Sequence, residues 1–141
     1  MSPRELTIRP VTLDDVDEVV SLWLRGGVDH NPDTDRDEIV TKLDYDGDLF
    51  LVAHKDGVLV ASIMGTYDGH RGRIKRCVVD PAARGSGVGR IIVADLEQRF
   101  RDRGITELRL EVWDDNTAGQ AFWRSLDWTH LDTVMYYTKS L

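Results

Sequence analysis

The stretch RGSGVG, residues 84–89, constrains the fold more than any other feature of this sequence. It follows an apolar run that ends at Asp80-Pro81, and it precedes a segment with apolar residues at helical spacing up to Gly104. A strand, a glycine loop and a long helix therefore follow one another directly. Because the first turn of a helix exposes unpaired N–H groups and the positive end of the helix dipole, this loop predicts an anion site.

The three glycines of the loop would allow a phosphate to approach the backbone without meeting a Cβ atom. They are Gly85, Gly87 and Gly89. Two familiar phosphate loops do not match, because the P-loop ends in Gly-Lys-Ser/Thr and the dinucleotide fingerprint G-x-G-x-x-G differs from the spacing here. A purely structural turn with the same glycines remains an alternative at this point.

The elements before the loop are predicted from hydrophobic periodicity and turn signals. Residues 5–11 alternate as a strand, and Thr12 is a candidate N-cap for a helix that ends near Gly26 and Gly27. Residues 28–37 are loop-like, and a short helix is expected over Glu38–Leu43. Two apolar stretches, 49–54 and 58–67, flank Lys55-Asp56-Gly57, which is a hairpin signal.

The second half of the chain continues the alternation of strands and helices. A strand is predicted at Ile74–Val79, a helix from the glycine loop to Gly104, and a strand over 105–113. A helix over Asn116–Leu126 and a last strand over Thr133–Thr138 follow. The fold class is therefore α/β (α+β), a mixed sheet covered by helices, in a single domain that spans residues 1–141.

Composition excludes several classes of function. The lone Cys77 rules out an internal disulfide framework, and neither a signal peptide nor an apolar run of about 18 residues is visible, so a cytoplasmic protein off the membrane is expected. A formal net charge of -7 argues against a nucleic-acid partner. No metal is expected, because the histidines lack metal-ligand spacing; they are His30, His54, His70 and His130.

Charge is unevenly distributed along the chain. Residues 1–69 carry 15 acidic and 6 basic side chains, whereas residues 70–141 carry 10 acidic and 12 basic ones. An anionic ligand at the glycine loop and a cationic group facing the front half fit this distribution, although solvated faces produce similar biases. Several acidic residues of the front half could attract a cationic molecule, although all of them are also ordinary loop residues. They are Asp33, Asp35, Asp44, Asp46 and Asp68.

The spacing R-x-x-G-x-G after V-V-D-P resembles the coenzyme-A loop of the GNAT superfamily of acyltransferases, in particular its small bacterial single-domain members. The opening IRPVTLDD, the strand LRLEV and the segment NTAGQAFWRSLDW, which stands in place of N-x-x-A-x-x-F-Y-x-x-x-G-F, extend the resemblance over nearly the whole chain. The resemblance implies a mostly antiparallel twisted sheet flanked by helices. It also implies acetyl-CoA as a cosubstrate, with its pyrophosphate at the glycine loop.

The resemblance assigns roles to a coenzyme site. Backbone groups of Cys77, Val78 and Val79 would pair with the pantetheine arm as an added strand does. Asn116 would hydrogen-bond the pantetheine or, alternatively, cap the following helix. Arg84 and Arg90 would add positive charge or remain solvated cations. Amides for the pyrophosphate would come from Gly85, Ser86, Gly87, Val88, Gly89 and Arg90.

Catalytic residues are less well defined by the resemblance. Glu111 stands where protein N-terminal acetyltransferases of similar sequence keep a glutamate, so it is the candidate general base, with a solvated strand-face carboxylate as the alternative. Trp123 replaces the motif's tyrosine and cannot act as an acid, which leaves water, Tyr136 or Tyr137 to protonate the thiolate. A nucleophilic role for Cys77 is disfavoured by its apolar strand.

The expected function is acetyl-CoA-dependent N-acetylation. The acetyl group would move directly to a primary amine of a small molecule, such as a polyamine or an aminoglycoside, or to the amine of a peptide or protein N-terminus. The missing tyrosine at Trp123 supports an alternative, a non-catalytic acyl-CoA binding or sensing module. The resemblance also makes a homodimer a candidate assembly.

Overall fold

The computed structural model describes residues 6–27 and 31–141, which belong to two compact units. The first unit, Met1–Leu110, contains the sheet, and the second, Glu111–Leu141, contains one helix. Glu5 of the predicted first strand and residues 28–30 of the predicted loop lie outside the described residues. Among the described residues, no helix combines the length and apolar character needed to cross a membrane.

The first unit is built on a five-stranded sheet in the order β1-β2-β3-β4-β5. The first four strands pair antiparallel, and β5 pairs parallel to β4, as expected for a mixed, mostly antiparallel sheet. The strands are β1 (Leu6–Pro10), β2 (Phe50–Lys55), β3 (Val58–Tyr67), β4 (Gly72–Val79) and β5 (Leu108–Arg109). The helices are α1 (Val16–Arg25), α2 (Pro32–Asp46), α3 (Val88–Asp102) and, in the second unit, α4 (Thr117–Ser125).

The Asp15 carboxylate joins β1 to the start of α1. Arg9 donates to both of its oxygens, at 2.7 and 2.8 Å, and the N–H and hydroxyl of Thr12 donate to Oδ2 at 2.8 and 3.1 Å. Thr12 precedes a 3-10 turn, Leu13–Asp15, so the regular α-helix begins one turn later than predicted, at Val16. Arg9 and Asp15 of IRPVTLDD therefore stabilise the entry into α1.

Helices cover both faces of the sheet. On one face, Trp23 of α1 and Ile39 of α2 belong to a buried apolar cluster that includes Met64 of β3. On the other face, Phe100 of α3 packs over Gly65, where an added Cβ would lie 2.7 Å from Cζ of its ring. Because neighbouring residues of a strand point to opposite faces, β3 serves both layers of the core.

The predicted hairpin is confirmed. β2 and β3 pair antiparallel across Asp56 and Gly57, whose φ angles are 51° and 81°. Two successive positive φ angles are the geometry of a type I′ turn, for which Asp-Gly is a preferred sequence. The strand before the glycine loop and the long helix after it are confirmed as β4 and α3.

Three predicted elements differ from the structure. Residues 32–37 were expected in a loop but begin α2, because the Asn31 side chain accepts from the Asp33 N–H at 3.2 Å and Pro32 occupies the first helical position. The strand predicted over 105–113 is limited to Leu108–Arg109, since β5 pairs with β4 only at Gly72 and Arg73. Residues 133–138 form no strand among the described residues, because alternation alone does not supply a pairing partner.

Candidate active site

The outer edge of β4 is open over most of its length. β4 pairs with β3 from Gly72 to Val79, but β5 pairs with it only at Gly72 and Arg73. In the part of the chain that the structure describes, no strand covers this edge beyond Arg73. Cys77, Val78 and Val79 therefore lie on an edge that can accept an extended chain, which is compatible with the role predicted for their backbone groups.

A β-bulge interrupts β4 immediately before these residues. Ser62 pairs with Val78 and Met64 pairs with Lys75, so one residue of β3 opposes both Arg76 and Cys77. Arg76 adopts a φ of 53°, in the left-handed region that non-glycine residues seldom occupy. Such a conformation persists only where its surroundings hold it.

The side chain and carbonyl of Arg76 are both held. Its guanidinium lies 4.2 Å above the ring of Trp23, and it donates to Asp35 and Glu38, each at 3.1 Å. The indole N–H of Trp23 donates to the Ser62 hydroxyl at 2.9 Å, and that hydroxyl donates to the Arg76 carbonyl at 3.0 Å. α1 and α2 thus fix the bulge. Trp23 is fully buried and is therefore a core residue.

Sequence reasoning missed the role of Arg76. An arginine in a strand gives no periodic signal, and its acidic partners lie about 40 positions earlier in the chain. Asp35, considered as an attractor for cationic molecules, is 1% exposed and paired with Arg76, so that part of the expectation was wrong. Asp68 is exposed and accepts the backbone N–H groups of His70 and Arg71, both at 2.8 Å, and its attraction for a cationic molecule stays a prediction.

The glycine loop has the conformation of an exposed helix start. Gly85 and Gly87 have φ angles of 79° and 89°, and no heavy atom lies within 4 Å of a Cβ built on either residue. Glycine is therefore required by backbone angle, and the space above these residues is open. α3 begins at Val88, so the N–H groups of Val88 and Gly89 have no acceptor within the helix, whereas a contact of Arg90 with the pyrophosphate stays a prediction.

Arg84 holds the loop against the end of α1. Its guanidinium donates to the Gly26 carbonyl at 2.9 Å and to the Val79 carbonyl at 3.3 Å. Ser86 donates through its hydroxyl to the Ala83 carbonyl. Arg84 is thus engaged in positioning the loop, and a contact of its side chain with a phosphate remains a prediction.

Cys77 has the properties of a structural thiol. Burial raises its pKa to about 12, so the sulfur is protonated at neutral pH. The thiolate is the nucleophilic form of cysteine, and its population here is very small. The structure thus offers no support for an acyl-enzyme on this residue.

The second unit contains α4 and the residues around it. The Asn116 side-chain oxygen accepts the Gly119 N–H at 2.9 Å, which is the helix-capping alternative, whereas contact with pantetheine stays a prediction. Asp127, where the family motif has glycine, adopts a φ of 69°, so an aspartate takes the left-handed conformation that usually favours glycine. Glu111 is exposed at the start of this unit, and its role as a base also stays a prediction.

The aromatic residues of the second unit pack against one another. The ring centroid of Trp123 lies 5.0 Å from that of Phe122 and 5.2 Å from that of Trp128, both in edge-to-face geometry. Trp123 is half-buried in this cluster. Its observed contacts are those of a packing residue.

Comparison with known proteins identifies the family. The profile described as Acetyltransferase (GNAT) family matches residues 16–128 of this chain. The chain belongs to the GNAT acetyltransferase family. An acetyltransferase of Sodalis glossinidius is 37% identical over 136 residues, which cover 96% of this chain and 96% of that protein. The resemblance seen in the glycine loop and the flanking segments is therefore confirmed, and the protein is an acetyltransferase.

Solved structures share the GNAT fold. An aminoglycoside antibiotic 6'-N-acetyltransferase from Acinetobacter haemolyticus superposes with a TM-score of 0.79 at 20% identity, covering 96% of this chain and 99% of that one. A predicted acetyltransferase from Clostridium acetobutylicum, crystallised with acetyl-CoA, gives 0.75 at 16% identity, covering 94% and 96%. The expected sheet with flanking helices is confirmed. GNAT membership implies acetyl-CoA as cosubstrate and an amine as acceptor.

Proposed function

We propose that this GNAT protein binds acetyl-CoA and transfers its acetyl group directly to a primary amine of a small molecule or a protein N-terminus. The observation that carries the proposal is that the open edge of β4 is followed directly by the exposed start of α3. The edge of β4 ends at Val79, and α3 begins at Val88 after two glycines with positive φ. The pantetheine arm would thus meet the backbone of β4, and the pyrophosphate would meet the backbone N–H groups at the start of α3.

The helix start supports the phosphate part of the proposal. The amides of Val88 and Gly89, the positive end of the helix dipole and the open space above Gly85 and Gly87 lie at the same end of α3. Two basic residues of the chain's cationic half, Arg84 and Arg90, flank the glycines of the loop. A pyrophosphate bound there would be held mainly by backbone groups.

The proposed reaction needs three events. The neutral amine attacks the thioester carbonyl, a backbone N–H polarises that carbonyl, and the C–S bond breaks so that CoA leaves as a thiolate. Glu111 would accept the amine's proton through water. The thiolate would then take a proton from water or from a tyrosine, Tyr136 or Tyr137, since the Trp123 indole is not a usable acid.

Direct transfer is favoured over a covalent enzyme intermediate. Cys77 is the single cysteine of the chain, and its raised pKa of about 12 keeps it in the unreactive thiol form. One observation favours a second candidate function, a non-catalytic acyl-CoA binding or sensing module. It is the packing of Trp123 among aromatic neighbours at the position where the family motif has tyrosine.

An acetyl-CoA consumption screen separates the two functions. The purified protein is incubated with acetyl-CoA and a panel of amines that includes polyamines, aminoglycosides, amino acids and short peptides, and the release of free CoA thiol is measured. Amine-dependent release well above the amine-free rate supports the transferase. Acetyl-CoA binding by calorimetry without release for any amine supports the binding module, and absence of both contradicts both functions.

A further inference from the structure

A cavity of about 390 Å³ lies between α2 and the strands β3 and β4. Its wall includes Glu38, Lys42 and Tyr45 of α2, Met64 of β3 and Lys75 of β4. Lys75 directly precedes the bulge at Arg76 and Cys77, where the backbone is expected to hold the thioester end of the coenzyme. The cavity therefore lies next to the segment of β4 at which the acetyl group is expected.

Lys42 gives the wall of this cavity a buried ammonium group that makes no hydrogen bond within the described residues. Its side chain is 6% exposed. The Asp46 carboxylate is 3.9 Å away, beyond hydrogen-bond distance. Burial is the main cause that lowers the pKa of Lys42; the Asp46 carboxylate opposes this effect, and the charges of Arg103 and Lys75 add to the lowering. A buried ammonium without a hydrogen-bonded oxygen is costly, so the site favours a ligand oxygen at this nitrogen.

The neighbouring carboxylates already pair with other basic side chains. Glu38 accepts from Arg76 at 3.1 Å and lies 3.7 Å from Lys75, and Asp46 lies 3.5 Å from Arg103. Glu38 and Asp46 are thus each shared between two basic groups. A ligand that brought its own negative charge would complete the pairing of the Lys42 ammonium.

The wall of the cavity also carries a negative charge. Asp37 is exposed on the first half of α2 and also lines the cavity. Its carboxylate suits the ammonium group of an incoming molecule, while Lys42 and Lys75 suit a carboxylate. Met64 is buried and gives the same space an apolar surface for a side chain.

We infer that this cavity binds the acetyl acceptor, and that the acceptor is an amine that also carries a carboxylate, as an α-amino acid does. The carboxylate would lie at Lys42 and Lys75, and the amine would be directed toward the bulge of β4. The inference rests on the proposed transferase function and narrows its acceptor class. Polyamines and aminoglycosides, which lack a carboxylate, would then be poor acceptors.

The test compares acids with their amides. Initial rates of acetylation are measured for the common L-amino acids and for the corresponding α-carboxamides, which keep the amine and lose the negative charge. Spermidine and an aminoglycoside serve as acceptors without a carboxylate. We expect the acids to exceed their amides in kcat/KM by about 10-fold or more, as loss of a charge-assisted hydrogen bond predicts.

Variants of the two lysines assign the effect to the cavity. Lys42→Met keeps the length of the side chain and removes its buried charge, so it should fold at least as well as the wild type. It should raise KM for the acid and leave that for the amide nearly unchanged, and Lys75→Met should act in the same direction. Lys55→Met, at the hairpin end of β2 and away from the cavity wall, should behave as the wild type.

The outcomes separate this inference from the proposed function. Efficient acetylation of spermidine or the aminoglycoside, with acids and amides accepted equally, overturns the inference and leaves the transferase intact. An unchanged acid preference in folded Lys42→Met and Lys75→Met also overturns it. Rejection of every amino acid likewise contradicts it, whether or not acetyl-CoA binds in calorimetry, which reports on the coenzyme site alone.

Discussion

The guanidinium of Arg25 lies 3.0 Å from the carboxylate of Asp80, so the last residue of α1 is paired with the residue that follows β4. Asp80 also accepts the Ala82 N–H at 2.9 Å, and this bond, followed by the contact with Arg25, lowers the pKa of Asp80. Arg84 reaches back to the Gly26 carbonyl. The entry to the glycine loop is therefore anchored to α1 from both sides.

Asp80→Ala should loosen this entry. The variant loses the cap on the turn Pro81–Ala83, so we expect the free energy of unfolding to fall by about 1 kcal/mol and the Kd for acetyl-CoA to rise. Asp80→Asn is the matched control, because an amide oxygen still caps the turn and the exposed pair with Arg25 contributes little. Urea denaturation and calorimetry measure the two effects. Equal behaviour of the two variants would show that the cap is unimportant.

The stability of the chain should depend on pH through Asp15. Its hydrogen bond with Arg9 is the main cause that lowers the pKa of Asp15 to about 2. Because the folded pKa lies below the unfolded value of 3.8, the stabilisation is present above about pH 4 and is lost as pH falls through 2. We expect Asp15→Asn to lower the free energy of unfolding at pH 7 by about 2 kcal/mol.

Urea denaturation at several pH values provides the measurement for Asp15. The difference between the wild type and Asp15→Asn should shrink as pH falls from 4 toward 2. Asp14→Asn is the control, since Asp14 is an exposed neighbour on the same turn. A difference that is constant from pH 7 to pH 2 would mean that the charge on Asp15 is not its source.

Parts of the fold follow directly from local sequence, and others do not. The hairpin at Asp56-Gly57 and the start of α3 after Gly87 were predictable because each depends on backbone angles that only a few residue types adopt. α2 was predicted too short because the Asn31-Pro32 start was not recognised, although it is a recognisable cap. Strand β5 was predicted too long because alternation says nothing about how far two strands stay paired.

In the candidate site, too, some features could be predicted from local sequence and others depend on residues that are distant in sequence. The glycine loop that we propose for the coenzyme was found from its glycines, which have a local signature. Arg76 was not found, because its conformation is held by Trp23, Asp35 and Glu38, which are distant in sequence. The burial of Lys42 was equally invisible, since it depends on the packing of α2 against the sheet.

Cys77→Ala should retain most of the acetyltransferase activity. The raised pKa of about 12 keeps the thiol protonated, so direct transfer does not require this residue. Steady-state rates with a productive amine and intact-mass spectrometry during turnover give the measurements. As the chain contains one cysteine, any acetyl-thioester on the protein is readily located. An acetylated Cys77 that forms and decays at the turnover rate would overturn direct transfer.

Glu111→Gln should separate binding from chemistry. If Glu111 accepts the amine's proton, the variant should lower kcat by roughly 10² while the Kd for acetyl-CoA stays nearly constant. Asp114→Asn, an exposed carboxylate three positions later, is the control and should keep its rate. Rates with the best amine and calorimetry with acetyl-CoA provide both numbers. A full-rate Glu111→Gln enzyme would remove Glu111 from the mechanism.

The central claim is that the start of α3 holds the pyrophosphate of acetyl-CoA, and calorimetry on two glycine variants tests it most directly. Gly87 and Gly104 flank α3 with φ angles of 89° and 78°, and neither has a heavy atom within 4 Å of an added Cβ. Glutamate therefore brings the same backbone strain and the same charge to either end.

Gly87→Glu should raise the Kd for acetyl-CoA by about 100-fold or more, because a carboxylate beside the phosphates costs several kcal/mol. Gly104→Glu should bind as the wild type, and Gly87→Gln should fall between the two, since it adds bulk without charge. Circular dichroism establishes that each variant is folded. Undiminished affinity in a folded Gly87→Glu protein, or equal losses in the two glutamate variants, would contradict the assignment of the coenzyme to this helix start.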